Sequence, residues 1–257
     1  MKITFLERAD IFELVKNNRE IFLKRILETE VFIVKRFYDP KTILDMRSKI
    51  FESGLKTDPS WHPLFDGCPD YHRLHENYAQ AHVKSRMHGF YFHGWPEKNA
   101  ELFSYFGEIF ELKCLLAGGL NASEFIRQIP SDGVIARVNF QNYPSGGGCI
   151  SEHVDPKSNY ALIQTLVQGS NHNQDFKEGG LYARKDLQSE KVYLDQHTEA
   201  GDLMILSPAI PHGVDPIDPQ AVYDWRQNSG KWTILPLFVS SDYPSSENQK
   251  PKEINIK

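Results

Sequence analysis

Glu152-His153-Val154-Asp155-Pro156 is the stretch on which the reading of this 257-residue chain turns, together with a second island, Pro208-Ala209-Ile210-Pro211-His212-Gly213-Val214. Side chains two apart on a β-strand leave the same face, so a strand here aims His153 and Asp155 inward and Val154 away. His212 from a neighbouring strand then completes two imidazoles and one carboxylate. That is the facial set that holds iron(II) and leaves coordination positions open for chemistry. The triplet alone is weak, because a chain with 10 histidines and aspartate at about one residue in sixteen produces a His-x-Asp about as often as not. A rival, His197-Thr198-Glu199, lies too near His212 to bracket several strands. Context has to decide.

Composition narrows the classes. The length fits one domain over 1–257 with a sizeable core. A net charge of −5 with mixed signs gives no basic patch for nucleic acid, while anionic small substrates stay compatible. Cys68, Cys114 and Cys149 are odd in number, scattered and without Cys-x-x-Cys spacing, which argues against a disulfide framework and a thiolate zinc site and for a cytoplasmic protein. Glu7, Arg8 and Asp10 occupy the place of a secretory apolar run, and no stretch approaches 18 uncharged apolar residues, so neither export nor a membrane partner is expected. Oligomeric state is not legible.

Upstream of the two islands the periodicity is helical. Ile11, Phe12, Val15, Phe22 and Ile26 predict a helix over 10–27, followed by a strand over 31–37. Asp39-Pro40 reads as an N-cap and first-turn proline opening a helix that Gly54 stops, and 97–116 reads as one more helix ended by Gly118-Gly119. Between them, 61–95 collects His62, His72, His75, His82, His88 and His93 with many aromatics, and reads as a lid or wall over the site. His72-x-x-His75 fits a helix face, but no carboxylate or thiolate pattern completes a zinc shell. Substrate contact, with His88 and His93 as candidates, and plain partly buried histidines are the two readings of this segment. After Pro130 short β-rich runs take over at 134–143, 149–155, 160–167, 180–184, 191–194, 202–206, 212–214 and 231–239, which predicts a sandwich or jelly roll; 243–257 reads as a polar tail. Gly146-Gly147-Gly148 lacks the Lys-Ser/Thr and helix of a phosphate loop and reads as a turn.

The order of these features carries a resemblance. Tyr143, Gly146-Gly147-Gly148 and His153-Val154-Asp155 come first; Gly179-Gly180 opens a middle strand; Gly201-Asp202-Leu203-Met204-Ile205-Leu206 precedes His212-Gly213-Val214 with Pro216. This set, over roughly 134–239, resembles the 2-oxoglutarate/iron(II)-dependent oxygenase superfamily, in particular its prolyl-hydroxylase-like branch. The resemblance implies a mainly β chain with α: a double-stranded β-helix (jelly roll) core over 131–240, buttressed by a mostly helical region over 1–130. It implies iron(II) on His153, Asp155 and His212, with 2-oxoglutarate and O2 as co-substrates, ascorbate as a stimulant, and hydroxylation of an unactivated C–H with release of succinate and CO2. In halogenating relatives the carboxylate is a small residue, so Asp155 points to hydroxylation.

The far carboxylate of 2-oxoglutarate needs a cation, and two are candidates. Gly230-Lys231-Trp232 resembles the Gly-x-Lys-Trp of collagen-type prolyl hydroxylases with one residue missing, and Lys231 begins a strand; Arg226 is nearer His212 and is the better bidentate partner. Tyr143 resembles the tyrosine that hydrogen-bonds the co-substrate, with Gln164 and Thr165 as further candidates. Arg137, Asn139 and Gln141 alternate on one strand face and are candidates for substrate contact. A small-molecule substrate is the first reading. A cupin-like metal-binding isomerase or sensor, and an oxygenase acting on a protein side chain, are the alternatives.

Overall fold

The computed structural model describes residues 1–65, 67–76, 83–118, 121–127, 133–156 and 161–240. In chain order the strands are β1 (Lys2–Leu6), β2 (Glu30–Val34), β3 (Tyr71–Leu74), β4 (Ser85–Arg86), β5 (His88–His93), β6 (Val134–Tyr143), β7 (Gly148–His153), β8 (Gln164–Gln168), β9 (Gly180–Ala183), β10 (Val192–Tyr193), β11 (Leu203–Leu206), β12 (His212–Ile217) and β13 (Lys231–Ser240). The helices are α1 (Arg8–Leu27), α2 (Pro40–Gly54), α3 (Ala100–Tyr105), α4 (Gly107–Leu116) and α5 (Ser123–Ile126). The strands form an eight-stranded sheet, ordered β1-β2-β11-β8-β13-β6-β5-β3, and a five-stranded sheet, ordered β10-β9-β12-β7-β4.

The larger sheet is centred on β13, which pairs antiparallel with β6 from Lys231↔Tyr143 to Ser240↔Val134 and with β8 on its other side. Alternation sorts its residues. Ile234 and Trp232 face a core shared with Phe140, Phe106 and Phe110, while Thr233, Leu235 and Leu237 face a cavity between the sheets. On the core side α1 packs on β2 and α4, and α4 packs on β13. Ile11, Val15, Phe22 and Ile26 are the buried stripe of α1. α2 starts as its sequence dictates, with Pro40 in its first turn and the Asp39 carboxylate accepting the Thr42 N–H at 2.8 Å.

Gly201-Asp202 has a structural reason. Asp202 is buried, accepts the Arg36 N–H at 2.8 Å and the Glu199 N–H at 2.9 Å, and pairs with Lys35, so it ties the end of β2 to the start of β11. Gly201 sits at φ 92°, where a Cβ would lie 2.4 Å from the Tyr38 carbonyl oxygen.

Two expectations are corrected. The region 1–130 is not mostly helical: β1 to β5 come from it, and β5 pairs with β6 from His88↔Asn142 to His93↔Arg137. The single helix over 97–116 is broken into a 3-10 turn (Glu97–Asn99), α3 and α4. The break falls at Phe106, with φ −90° and ψ 8°, where the ring is fully buried edge-on to Tyr38 and Phe140. The segment 61–95 supplies strands β3, β4 and β5 and, through Trp61, His75, Met87 and Tyr91, walls the cavity as expected; His82 and the tail over 243–257 lie outside the described residues. Cys68, Cys114 and Cys149 are free thiols, and no described helix is long and apolar enough to cross a membrane.

The histidines of β3 and β5 are mostly interior. His72, His75, His88 and His93 are buried. The Thr57 carbonyl, 3.0 Å from His72 Nε2, can only accept, so that nitrogen carries the proton and His72 Nδ1 accepts from His88 Nε2 at 2.8 Å. Burial pushes all four pKa values below 6.5, helped at His75 by the Arg73 charge and at His88 by its neighbouring histidines; His75 and His88 fall to about 3. These groups stay neutral in the folded chain while the unfolded chain takes up protons below pH 6.5. Their contribution therefore vanishes above that pH and turns against folding as pH falls below 6.5; for His75 and His88 the loss runs on towards pH 3, at up to about 1.4 kcal/mol per pH unit each. Thermal melts between pH 7.5 and 5 should show a melting temperature that drops steeply below pH 6.5, with a shallower slope for His88→Phe.

Candidate metal centre

His153 ends β7 and His212 opens β12, and the two are direct cross-strand partners. Their ring centroids are 4.4 Å apart. β12 is held on its other side by β9, with His212 opposite Ala183, so its rung is fixed from both edges. Asp155 does not share the strand face predicted for it. β7 ends at His153, and the carboxylate arrives from the loop beyond, where the Asp155 N–H donates to the Pro208 carbonyl at 2.8 Å. That bond ties the first island to the turn leading into the second. Val154 between the ligands is 50% exposed and borders the cavity.

The three side chains converge. Asp155 lies 3.6 Å from His153 Nε2 through Oδ1 and 3.3 Å from His212 Nε2 through Oδ2, and one ligand atom of each residue falls within 4.8 Å of the others. Cis ligands about 2.1 Å from a metal are about 3 Å apart, so the donors need only a slight contraction around an ion. Both imidazoles are prepared in the same way. His153 Nδ1 donates to the Ser151 carbonyl and His212 Nδ1 to the Ile210 carbonyl, each at 2.9 Å and each two residues upstream. A carbonyl can only accept, so both Nδ1 atoms carry protons and both Nε2 lone pairs face the site. Gln164 donates to Asp155 Oδ2 at 2.7 Å and fixes the carboxylate.

Electrostatics follow from burial and closeness. Burial, then the neighbouring His212, lowers the His153 pKa. Burial would lower His212 and raise Asp155, but the hydrogen bond and charge between them win, so His212 is raised and Asp155 lowered. A divalent cation with two neutral imidazoles and one carboxylate leaves one net positive charge, suited to an anionic co-ligand.

The centre opens into a cavity of about 570 Å³ between the sheets. Arg137, Asn139, Gln141 and Tyr143, the inward residues of β6, all line it, and the Tyr143 hydroxyl donates to Gln141 at 2.8 Å. Gln164 lines it too, whereas Thr165 is on the opposite face, fully buried. Lys231 shares the inward face of β13 with Thr233 but lies one step past the lined wall, fully buried. There it donates to Asp195 at 2.5 Å and Gln168 at 2.9 Å. Asp195 also accepts from Gln168 at 2.7 Å and from the Leu181 N–H at 2.5 Å, so this ammonium is neutralised from within the chain. Arg226 is exposed, with its guanidinium 4.6 Å from the Trp225 ring, and does not line the cavity. His88 and His93 are fully buried and do not line it either. His197, in the rival triplet, is exposed beside Phe5.

Trp61, Arg73, His75 and Tyr91 line the cavity and are not singled out in sequence as site residues, although 61–95 reads as a wall over the site. Alternation held the signal for two of them. Arg73 sits opposite Gly89, and Tyr91 opposite Asn139, so these residues share the face of β6 that carries Arg137, Asn139 and Gln141. Lys113 on α4 was also missed. It is buried, donates to the Ile163 carbonyl at 3.1 Å just before Gln164, and burial lowers its pKa to about 8.

No family model matches the chain, and no curated protein matches it in sequence. Among solved structures, a prolyl-4-hydroxylase from Pseudomonas putida aligns with 84% of this chain and 95% of its own at 12% identity, with a TM-score of 0.50. A prolyl hydroxylase from Trichoplax adhaerens, solved with a hypoxia inducible factor oxygen degradation domain peptide fragment, covers 90% and 93% at 15% identity and a TM-score of 0.49. A 2OG-Fe(II) oxygenase family oxidoreductase from Burkholderia pseudomallei covers 93% and 95% at 11% identity and a TM-score of 0.43. The last two scores are too low to bear weight, and identity of 12% in the first speaks to fold alone. The chain therefore has the fold of a prolyl-4-hydroxylase, the branch its own motifs resemble.

Proposed function

We propose that the chain is an iron(II)- and 2-oxoglutarate-dependent oxygenase, one domain with a double-stranded β-helix core, that hydroxylates an unactivated C–H of a small molecule. The observation that carries this reading is the convergence of His153, Asp155 and His212 with both Nδ1 atoms tied back to backbone carbonyls. When bound, iron(II) with 2-oxoglutarate and O2 supplies an oxidant for the C–H bond, while the co-substrate becomes succinate and CO2.

The chain's own residues have distinct tasks. His153, Asp155 and His212 hold the metal, and Gln164 keeps the Asp155 carboxylate oriented. Leu166, Leu181, Val214 and Leu235 line the cavity with apolar surface that limits water near the centre. Tyr143 and Gln141 offer hydroxyl and amide groups to the co-substrate. Lys231 is the cation for the far carboxylate, and Asp195 is its resident competitor, so co-substrate affinity reflects an exchange of one carboxylate for another. A cavity between two sheets supports a small-molecule substrate.

Anaerobic addition of iron(II) and 2-oxoglutarate should give a metal-to-ligand charge-transfer band, and air should then yield succinate. Absence of both removes the reading in favour of a metal-binding isomerase or sensor. His153→Ala, Asp155→Ala and His212→Ala should abolish band and succinate, His197→Ala should leave them intact, and Gln164→Leu should weaken metal binding or activity about 10- to 100-fold. In the same titration Lys231→Met should weaken 2-oxoglutarate at least about tenfold, and Asp195→Asn, which frees the ammonium, should tighten it. Tighter binding with Lys231→Met would exclude it as the carboxylate partner.

A further inference from the structure

Several interior and near-site cations of this chain are ion-paired. Lys231 has Asp195, Arg47 has Asp175, Arg184 has Glu152 and Arg86 has Glu76. Arg137 is the exception at the cavity: among the described residues no carboxylate pairs with it, and its Nε is buried without a hydrogen-bond partner. Its guanidinium carbon lies 5.1 Å from the centre of the Tyr91 ring, and that of Arg73 lies 5.4 Å from the same ring. The next inward residue, Asn139, is 3% exposed, and its side-chain oxygen is buried without a partner. The following one, Gln141, accepts from Tyr143 through its oxygen and keeps its NH2 for the cavity. One wall thus presents a guanidinium and two amides to the cavity. Leaving a shielded cation unpaired is costly, and a planar carboxylate offers the acceptors that a guanidinium fork matches; the Asn139 oxygen, itself an acceptor, calls for a donor instead.

Position sets the scale. Leu237 pairs with Arg137, and the register Thr233↔Gln168, Ile234↔Val167, continued by the Thr165 hydroxyl donating to the Pro236 carbonyl, carries Leu237 to Gln164. Arg137 and Gln164 therefore stand on one row two strand spacings apart, about 10 Å between backbones. Gln164 is the residue that holds Asp155. Arg137 and the metal ligands line the same cavity.

We propose that Arg137, with Asn139 beside it, is the anchor for the carboxylate of the substrate, and that the substrate class is small organic acids. Their reaction at the centre rests on the oxygenase reading; the binding does not. Trp61 and Tyr91 supply aromatic surface along the same cavity, so an arylacetic acid is a suitable probe.

Calorimetry with phenylacetate and phenylacetamide, run on the protein with and without iron(II) and 2-oxoglutarate under argon, tests this directly. The acid should bind at least about tenfold more tightly than the amide, Arg137→Gln should erase the difference, and Arg137→Lys, which keeps the charge, should retain part of it. The 2-oxoglutarate titration of the charge-transfer band should be the same in wild type and Arg137→Gln. Equal binding of acid and amide by wild type, or a preference that survives in Arg137→Gln, overturns the proposal. So does a tenfold weaker 2-oxoglutarate titration in Arg137→Gln, which would assign the guanidinium to the co-substrate. A missing charge-transfer band with the acid preference intact removes the oxygenase reading and leaves the carboxylate site standing.

Discussion

The pairing of His212 with His153 across β7 and β12 is the rung on which the centre depends. A slip of one residue would turn both imidazoles to the other face of the sheet, so the register has to be secured from several sides. β9 fixes β12 from its far edge, the Asp155 N–H reaches across to Pro208, and the two Nδ1 atoms are locked to carbonyls two residues upstream, Ser151 on β7 and Ile210 in the turn before β12. Register irregularities fall between His212 and Val214 and between Val214 and Ile217, immediately past the rung. Bulges in such places re-aim side chains, and here they leave the His212 rung itself in register.

The second theme is how the chain keeps charge in its interior. Lys231, Asp195 and Gln168 form a closed set in which each polar group has a partner, bridging β13, β8 and the 3-10 turn Leu194–His197. Such a set contributes little net stability against an apolar replacement but costs several kcal/mol if one member is removed. The contrast with the wall of β6 is sharp. At one end of the cavity a lysine is satisfied from within, and along its side the Arg137 Nε has no hydrogen-bond partner among the described residues.

Much of this was legible in sequence because it is written in alternation. From Arg137 to Gln141 β6 alternates polar and apolar residues, and its inward row, from Arg137 to Tyr143, lines the cavity as that period requires. The three ligands stood out through the islands that frame them. What was hidden is pairing between distant positions. β3 and β5 bury both faces with histidines and aromatics, so His88 and Tyr91 look alike on paper although only Tyr91 lines the cavity. Lys231 reads as an available cation until Asp195, 36 positions away, is set beside it. Phe106 reads as one more apolar residue of a long helix, and only the surrounding rings explain why the helix breaks there.

The place of β13 in the larger sheet bears on how the molecule assembles. It is the last described strand, yet it lies between β8 and β6, with β11, β2 and β1 beyond one and β5 and β3 beyond the other. Until residues 231–240 have left the ribosome, the two halves of that sheet share no strand and the cavity lacks one wall. Closure then depends on contacts distant in sequence, which is the topology that folds slowly. During synthesis the chain therefore carries two exposed strand edges, on β6 and β8, waiting for the same partner, and a chaperone that shields them acts at the step on which the whole interior depends.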